Sequence, residues 1–357
     1  MENEKKIQKT KVPQEIIQFF TRQLATLLHA GTPFFDSLSI VQKQTKNKQF
    51  YKVLAKIKNA IAEGQSFAKA LSQFPKIFNP LYVNMIEVGE SRGELDVALQ
   101  KIYAYESKQR EVRMKLYTAL TYPMFLIIGG IGLIVYMLTA VVPRFIEIFT
   151  DAEIALPLPT KIILITTNAI TNNKSIILAG SILIIATIIY MQSQERGKEI
   201  LHKYNLRFPL IGTIIRNAII ARFCKTFGML HNSGIPLLQA LTLAKNTVGN
   251  MFFEKNLTNA IISVQEGESL ATSFEKIPLF PTMAVQMLAV GEQSSKVDQL
   301  ALDVGEYYEE ENEYITKRIL VLIEPLVLLI IGVAIAFIAA SFLLPLFKMV
   351  TVINPTF

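Results

Sequence analysis

Apolar side chains recur at helical spacing from the start of the chain. Phe20, Leu24, Leu27 and Leu28 fall on one face of a helix, and Gly31 supplies the left-handed residue that ends it. Thr32 followed by Pro33 reads as a cap and a first-turn proline, an αα-hairpin signal that the GIP of Gly234 to Pro236 repeats without the hydroxyl. Gly64 stops a later helix, Ser66 caps the next, and Pro75 breaks it. The pattern predicts helices near 14–29, 33–45, 48–62, 66–73, 78–88 and 94–115, packed as a six-helix bundle. Strand signals are scarce, because β-branched runs fall mainly within longer apolar segments.

Three of those segments are long and apolar enough to cross a bilayer, which takes roughly 20 residues of helix, the middle one being short. They run from Leu116 to Val142, from Ser175 to Met191 and from Ile319 to Phe347, and the apolar stretch at 161–170 is expected to dip into the interface. Composition agrees: 51% of the 357 residues are hydrophobic and none is Trp, and the mean hydropathy is +0.36, which selects a membrane protein over a soluble one. Basic residues set the orientation, since Lys and Arg stay on the cytoplasmic side. Lys108, Arg110, Arg113 and Lys115 precede the first span, Arg196, Lys198, Lys203 and Arg207 follow the second, and Lys317 and Arg318 precede the third.

The fold class that follows is an all-α polytopic membrane protein with two repeated cytoplasmic six-helix bundles and three transmembrane helices. Its expected parts are a cytoplasmic bundle at 1–115, a span at 116–142, an outer-face loop at 143–174, a span at 175–192, a second cytoplasmic bundle at 193–318, a span at 319–347 and an outer-face tail at 348–357. The charged start MENEKKIQKTKVP has no apolar run of the kind a cleaved secretory signal carries, so the N-terminus is expected inside and the C-terminus outside. The net charge of +7 is spread along helical stretches and is not clustered with stacking aromatics, so topology explains it and direct nucleic-acid binding is not expected.

The chain repeats itself. FTRQLATLLHAGTPFFDSL from Phe20 matches FCKTFGMLHNSGIPLLQAL from Phe223, and EGQSFAKAL from Glu63 matches EGESLATSF from Glu266, both at an offset of 203. One residue is dropped after Pro278, and at an offset of 202 VGESRGELD (Val88 to Asp96) returns as VGEQSSKVD (Val290 to Asp298). The match continues into the spans, pairing Tyr105 with Tyr307, Pro123 with Pro325 and Pro143 with Pro345. Each copy is therefore a bundle plus the span behind it. The extra middle span returns the chain to the first side, which makes the repeats parallel and not inverted.

The repeated phrase is the first candidate site. Gly89 is expected to close one helix and Ser91 or the acids to cap the next, with Glu90, Glu94 and Asp96 placing negative charge at the start of the helix that leads to the membrane. The same three acids are candidate ligands for a divalent cation such as calcium, although an EF-hand ligand series is absent. No other cofactor is indicated. The single Cys224 excludes an intramolecular disulfide framework, and His29, His202 and His231 are scattered. There is no GxxxxGK[ST] or GxSxG sequence, and no enzyme activity is expected. Gly129, Gly130 and Gly132 predict close packing of the first span against another.

FTRQLATLLHAGTP, EGQSFAKAL, VGESRGELD, TYP and VVPRF together resemble the platform proteins of type II secretion and type IV pilus machines, and HNSGIPLLQAL, EGESL, LFPTMAVQMLAVGE, YYEEE and IEP match the pattern a second time. The likeness covers the chain from Val12 onward. It departs from the pattern where Ser295 and Val297 replace Gly93 and Leu95 in the second copy. The resemblance implies a non-enzymatic, oligomeric inner-membrane protein whose partners are a cytoplasmic hexameric assembly ATPase, pilin-like subunits and other inner-membrane assembly proteins. Candidate ATPase contacts are Arg22, Arg92, Glu94, Glu268 and Lys296, for which a solvated bundle face is the alternative. Glu324, an acid just before Pro325 in the third span, is the candidate contact for the positive N-terminus of a pilin-like helix, with snorkelling as its alternative. A small parallel-repeat transporter or an unrelated membrane receptor or scaffold are the other functional classes. The first needs polar groups at mid-membrane that these spans lack.

Overall fold

The computed structural model describes residues 12–144, 194–206, 208–209 and 211–353, with isolated positions between 158 and 191. Among the described residues every element is helical. In the first copy α1 (Gln14–His29), α2 (Phe34–Gln44), α3 (Lys48–Ala62), α4 (Phe67–Ser72) and α5 (Pro80–Arg92) are followed by α6 (Leu95–Tyr136) and a π-helical turn, Met137–Val141. After α7 (Glu195–Asn205), the second copy runs α8 (Ile211–Asn232), α9 (Leu237–Lys245), α10 (Met251–Gln265), α11 (Leu270–Glu275), α12 (Thr282–Ser294) and α13 (Val297–Ile353). Most of the predicted middle span and of the outer-face loop, and half of the segment 161–170, lie outside the described residues.

Capping explains why matching elements start at matching places. Asn47 accepts from the backbone N–H of Gln49 and Phe50, and its counterpart Asn250 accepts from Phe253. Ser66 and Ser269 accept from Lys69 and Thr272 in the same way, each satisfying a first-turn donor that the helix leaves open. Two local expectations need correction. Pro33, not Thr32, occupies the position before α2, and no side chain caps that helix. The Thr32 carbonyl instead accepts from Ser37 Oγ. Gly89 does not end a helix either. It lies inside α5, which stops at Gly93, where φ is 74°.

Ser295 takes the place of Gly93 and adopts the same left-handed conformation, at φ 55°. A side chain there crowds the following carbonyl, whereas glycine does not. Ser295→Gly is expected to stabilise the protein by about 0.5–1 kcal/mol, which a thermal-denaturation comparison in detergent checks. A lower midpoint would count against the strain.

The chain divides into two compact units, the first comprising Met1–Met114 with His202–Asn312, and the second Lys115–Leu201 with Glu313–Phe357. In the first unit one buried apolar core runs through both copies. Phe20 meets Phe50 edge-on, with ring centroids 5.4 Å apart, and Phe274 meets Phe280 edge-on at 5.3 Å, geometries favoured by the ring quadrupole. Cys224 belongs to this core.

The second unit holds the apolar ends of α6 and α13. Two helical stretches, Leu95–Arg144 and Val297–Leu344, are long and apolar enough to cross a membrane. Their large side chains point outward: Phe125 is 79% exposed and Val321 71%, the pattern of a helix whose solvent is lipid. Of the three glycines expected to admit a neighbour, Gly130 does so, since a methyl placed on it would collide with the Ile331 side chain. Gly129 and Gly132 face open space.

Candidate functional site

The repeated phrase is a fastening built the same way twice. Glu90 reaches back across the bundle, and its two carboxylate oxygens accept from the N–H groups of Phe67 and Ala68 at 2.7 and 3.1 Å. Glu292 holds Leu270 N–H with both oxygens, at 3.1 and 3.0 Å. In each copy a carboxylate therefore closes the N-terminus of the six-residue helix α4 or α11, where the helix dipole also favours negative charge. Gly89 lets the turn come close: an added Cβ would lie 2.5 Å from that of Ala98. Asp96 and Asp298 complete the fastening. Asp96 bonds His29 Nδ1 at 3.2 Å and Asp298 accepts from Asn232 at 2.9 Å, and these hydrogen bonds hold both carboxyls below the usual range.

These contacts occupy two of the three acids that sequence reasoning offered to a cation. Glu90 is committed to α4, Asp96 to His29, and Glu94 is exposed. Among the described residues no group of three or more His, Cys, Asp or Glu side chains is arranged to hold a metal ion. Ser91 caps nothing, because its hydroxyl donates to the Val88 carbonyl within α5.

The candidate partner residues are not gathered in one place. Arg22 lies over the Tyr103 ring at 5.7 Å, Glu268 pairs with Lys276 at 2.6 Å, and Lys296 is exposed in the turn before α13. Arg92 is folded against the backbone at Gly234 of the other copy. Glu324, in the second unit, accepts from Tyr122 OH at 2.9 Å. Those two residues occupy the same position of the two copies, which places a quasi-two-fold relation between α6 and α13 at that level.

Arg92 leads to the feature that sequence reasoning missed, the seam between the two copies within the first unit. Asn84 accepts from Gln239 at 2.8 Å, Lys101 donates to Ser233 at 3.2 Å, and Tyr105 OH bonds Thr226 Oγ1 at 2.9 Å. One face of α5 and α6 thus meets one face of α8 and α9. A cavity of about 290 Å³ remains in the seam, lined by Tyr82, Met85, Glu106 and Arg113 on one side and Arg222 and Leu243 on the other. Glu106 is the anomaly. Its Oε2 is shut off from solvent and has no hydrogen-bond partner, and burial pushes its pKa up to about 7. Within YAYESKQR nothing local singles out Glu106. The available signal was the repeat, because the position matching Glu106 is Tyr308, which is 7% exposed.

Burial pushes the Cys224 thiol up to about 12, so it is a core residue and not a nucleophile. Tyr82 is buried as well, its hydroxyl 2.9 Å from Thr21 Oγ1. The seam holds and aligns two helical bodies, and its groups are those of an interface.

Comparison with known proteins places the chain. The family model described as type II secretion system (T2SS), protein F, matches twice, over residues 20–143 and 223–345. Each match takes in one copy and runs on through the helix behind it. The chain is 32% identical to the type IV pilus assembly protein PilC of Thermus thermophilus, with 94% of this chain and 82% of that protein covered. It is 32% identical to PilC of Myxococcus xanthus, with 93% and 80% covered, and 29% identical to type II secretion system protein F of Pseudomonas aeruginosa, with 92% and 81% covered.

Proposed function

The chain belongs to the type II secretion system protein F family, and on that premise we propose that it is the inner-membrane platform of a type IV pilus or type II secretion machine, coupling a cytoplasmic assembly ATPase to the insertion or extraction of pilin-like subunits. Both repeats, 1–115 and 193–318, lie in the cytoplasm in this reading. Spans at 116–142, 175–192 and 319–347 leave the N-terminus inside and the C-terminus outside. The supporting observation is that the family match recurs, each time passing from a helical body into an apolar helix. The chain crosses from the first compact unit to the second within α6 and within α13, with no break in either helix. A rigid helix transmits displacement over its length at a rise of about 1.5 Å per residue. Work done on the cytoplasmic body then reaches the membrane without any chemistry in this chain.

The ATPase is expected to bind the exposed charges Arg22, Glu94, Glu268 and Lys296. Reversing them together leaves the protein folded and inserted but removes co-purification of the ATPase with the full-length chain. Retained co-purification after all four reversals moves the contact elsewhere. A deletion strain is expected to lose surface filaments or exported proteins, and which of them disappears identifies the machine.

Glu324 is the proposed contact for a pilin-like helix, its carboxylate held by Tyr122 OH at 2.9 Å. A carboxylate in an apolar segment costs a few kcal/mol unless partnered, and one neutral hydroxyl leaves acceptor capacity for a cationic N-terminus. Glu324→Gln is expected to reduce filament assembly at least tenfold at unchanged protein level. Wild-type assembly by that variant would dismiss the contact.

A further inference from the structure

The seam is one-sided, and that has consequences for assembly. The α5–α6 face of the first copy packs on the α8–α9 face of the second through Asn84 to Gln239, Lys101 to Ser233 and Tyr105 to Thr226. The matching pairs, Gln286 with Asp36, Asp303 with Ala30 and Tyr307 with Gln23, would form if the arrangement were two-fold. None of them is in contact among the described hydrogen bonds, and five of those six residues are exposed, with Gln23 half-buried. The interface is heterologous: it joins two different faces, and it leaves one of each unused, α12–α13 of the second copy and α1–α2 of the first.

The unused faces keep the character of covered ones. Leu243 is 9% exposed in the seam, while its counterpart Ile40 is 37% exposed. Phe19, matching Arg222 of the cavity wall, is 59% exposed, and Tyr307, matching Tyr105, is 45% exposed. An isolated exposed apolar residue is ordinary. Here each falls where the other copy makes its contact. The charges are complementary too. Asp303, Glu306 and Glu310 stand exposed on the α13 face, and Lys43 and Lys46 stand exposed at the end of α2. Lys43 matches Asn246, which lines the cavity beside Tyr105, so a second molecule docked in the seam's geometry would bring Lys43 next to Tyr307 and the acids.

We propose that a second copy of this chain docks with its α1–α2 face on the α12–α13 face of the first, reproducing between molecules the contact that the two repeats make within one. The occupant is a copy of the same chain because its α1–α2 and α12–α13 faces are the repeat counterparts of the two faces that meet in the seam. Head-to-tail joining closes into a ring where the rotation between molecules permits and needs no two-fold axis. The inference goes beyond the platform reading, and it holds or falls on assembly whichever machine is served.

The experiment uses full-length chains in their native membrane, with Cys224 left in place because it is buried. One chain carries Ala30→Cys and a differently tagged chain carries Asp303→Cys, and a short bis-maleimide joins exposed thiols. Both positions are exposed, so either variant folds without disturbing the core. A heterodimeric adduct is expected in cells making both chains and not in cells making either one alone. A second pair, Asp36→Cys with Gln286→Cys, is expected to behave alike. Asp303→Lys placed in the Asp36→Cys/Gln286→Cys experiment is expected to lower adduct yield several-fold, and Lys43→Glu in the partner molecule to restore part of it. No adduct from either mixed pair overturns the proposal, as does an adduct from a single variant alone, which would reveal a two-fold dimer.

Discussion

Glu90→Ala is expected to lower stability by about 2–3 kcal/mol. A hydrogen bond to a charged acceptor contributes about 1.5–3 kcal/mol when its removal strands a buried partner, and Glu90 makes two such bonds, to the N–H groups of Phe67 and Ala68. α4 has six residues, and Phe67, Ala68, Ala70 and Leu71 are buried. So short a helix has no stability of its own, and the carboxylate and the Ser66 cap hold its first turn while its apolar face packs. Glu292→Ala is expected to cost less, about 1–2 kcal/mol, because only the Leu270 N–H is lost.

Thermal denaturation of the detergent-solubilised chain, followed by helical circular dichroism, measures both losses. Glu90→Gln should fall between wild type and alanine, since the amide keeps one acceptor and loses the charge. Added calcium or a chelator should leave all of these midpoints where they are. A loss that calcium modulates would instead revive the phrase as an ion site.

How far this arrangement was legible in the sequence follows from the range of each interaction. The borders of α3 and α4 were visible because local chemistry sets them, as where Ser66 acts within three residues of itself, whereas the end of α5 was placed at Gly89 and lies at Gly93. The part played by Glu90 was not visible. Its partners are 22 and 23 residues away, and only the packed bundle brings them together. Gly89 misled for the same reason, because it is a glycine for the sake of Ala98, not for a left-handed turn.

The family resemblance came from motifs that occur in both copies, yet the repeat does not show how its copies face one another. In the first unit they meet through different faces, and in the second Tyr122 meets its own counterpart Glu324. A side-chain pattern read one copy at a time contains neither relation. What the repeat does supply is a comparison of environments at matched positions. A glutamate opposite a buried tyrosine marks a polar group in a covered place, and the Glu106–Tyr308 pair is the instance that matters here.

Glu106→Gln is accordingly expected to stabilise the protein at neutral and alkaline pH. The native carboxyl is pushed up to about 7 by burial, against an ordinary value near 4.3 in the unfolded chain. Below pH ~4.3 both states are protonated and the substitution is nearly silent. From there to pH 7 the folded state keeps a proton that the unfolded state releases, so the contribution of Glu106 to stability falls as pH rises, and above 7 it levels off. At 1.36 kcal/mol per pH unit, the glutamine variant should gain at most about 3–4 kcal/mol over wild type by pH 8, less whatever solvent screens at this half-buried group.

Asp96, Asp298 and Glu268 titrate the other way, since their lowered values add stability that is lost only as pH falls through the acid range. The difference between variant and wild type isolates Glu106 from them. Arg113 and Arg222 line the same cavity, with Tyr82 and Tyr105 beside them. If either guanidinium turned to pair with the carboxylate, the native value would drop and the difference curve would be flat from pH 5 to 8. A curve that rises across that window would show that the seam holds an uncompensated acid at its centre, where a proton taken up or released changes how firmly the two copies are joined.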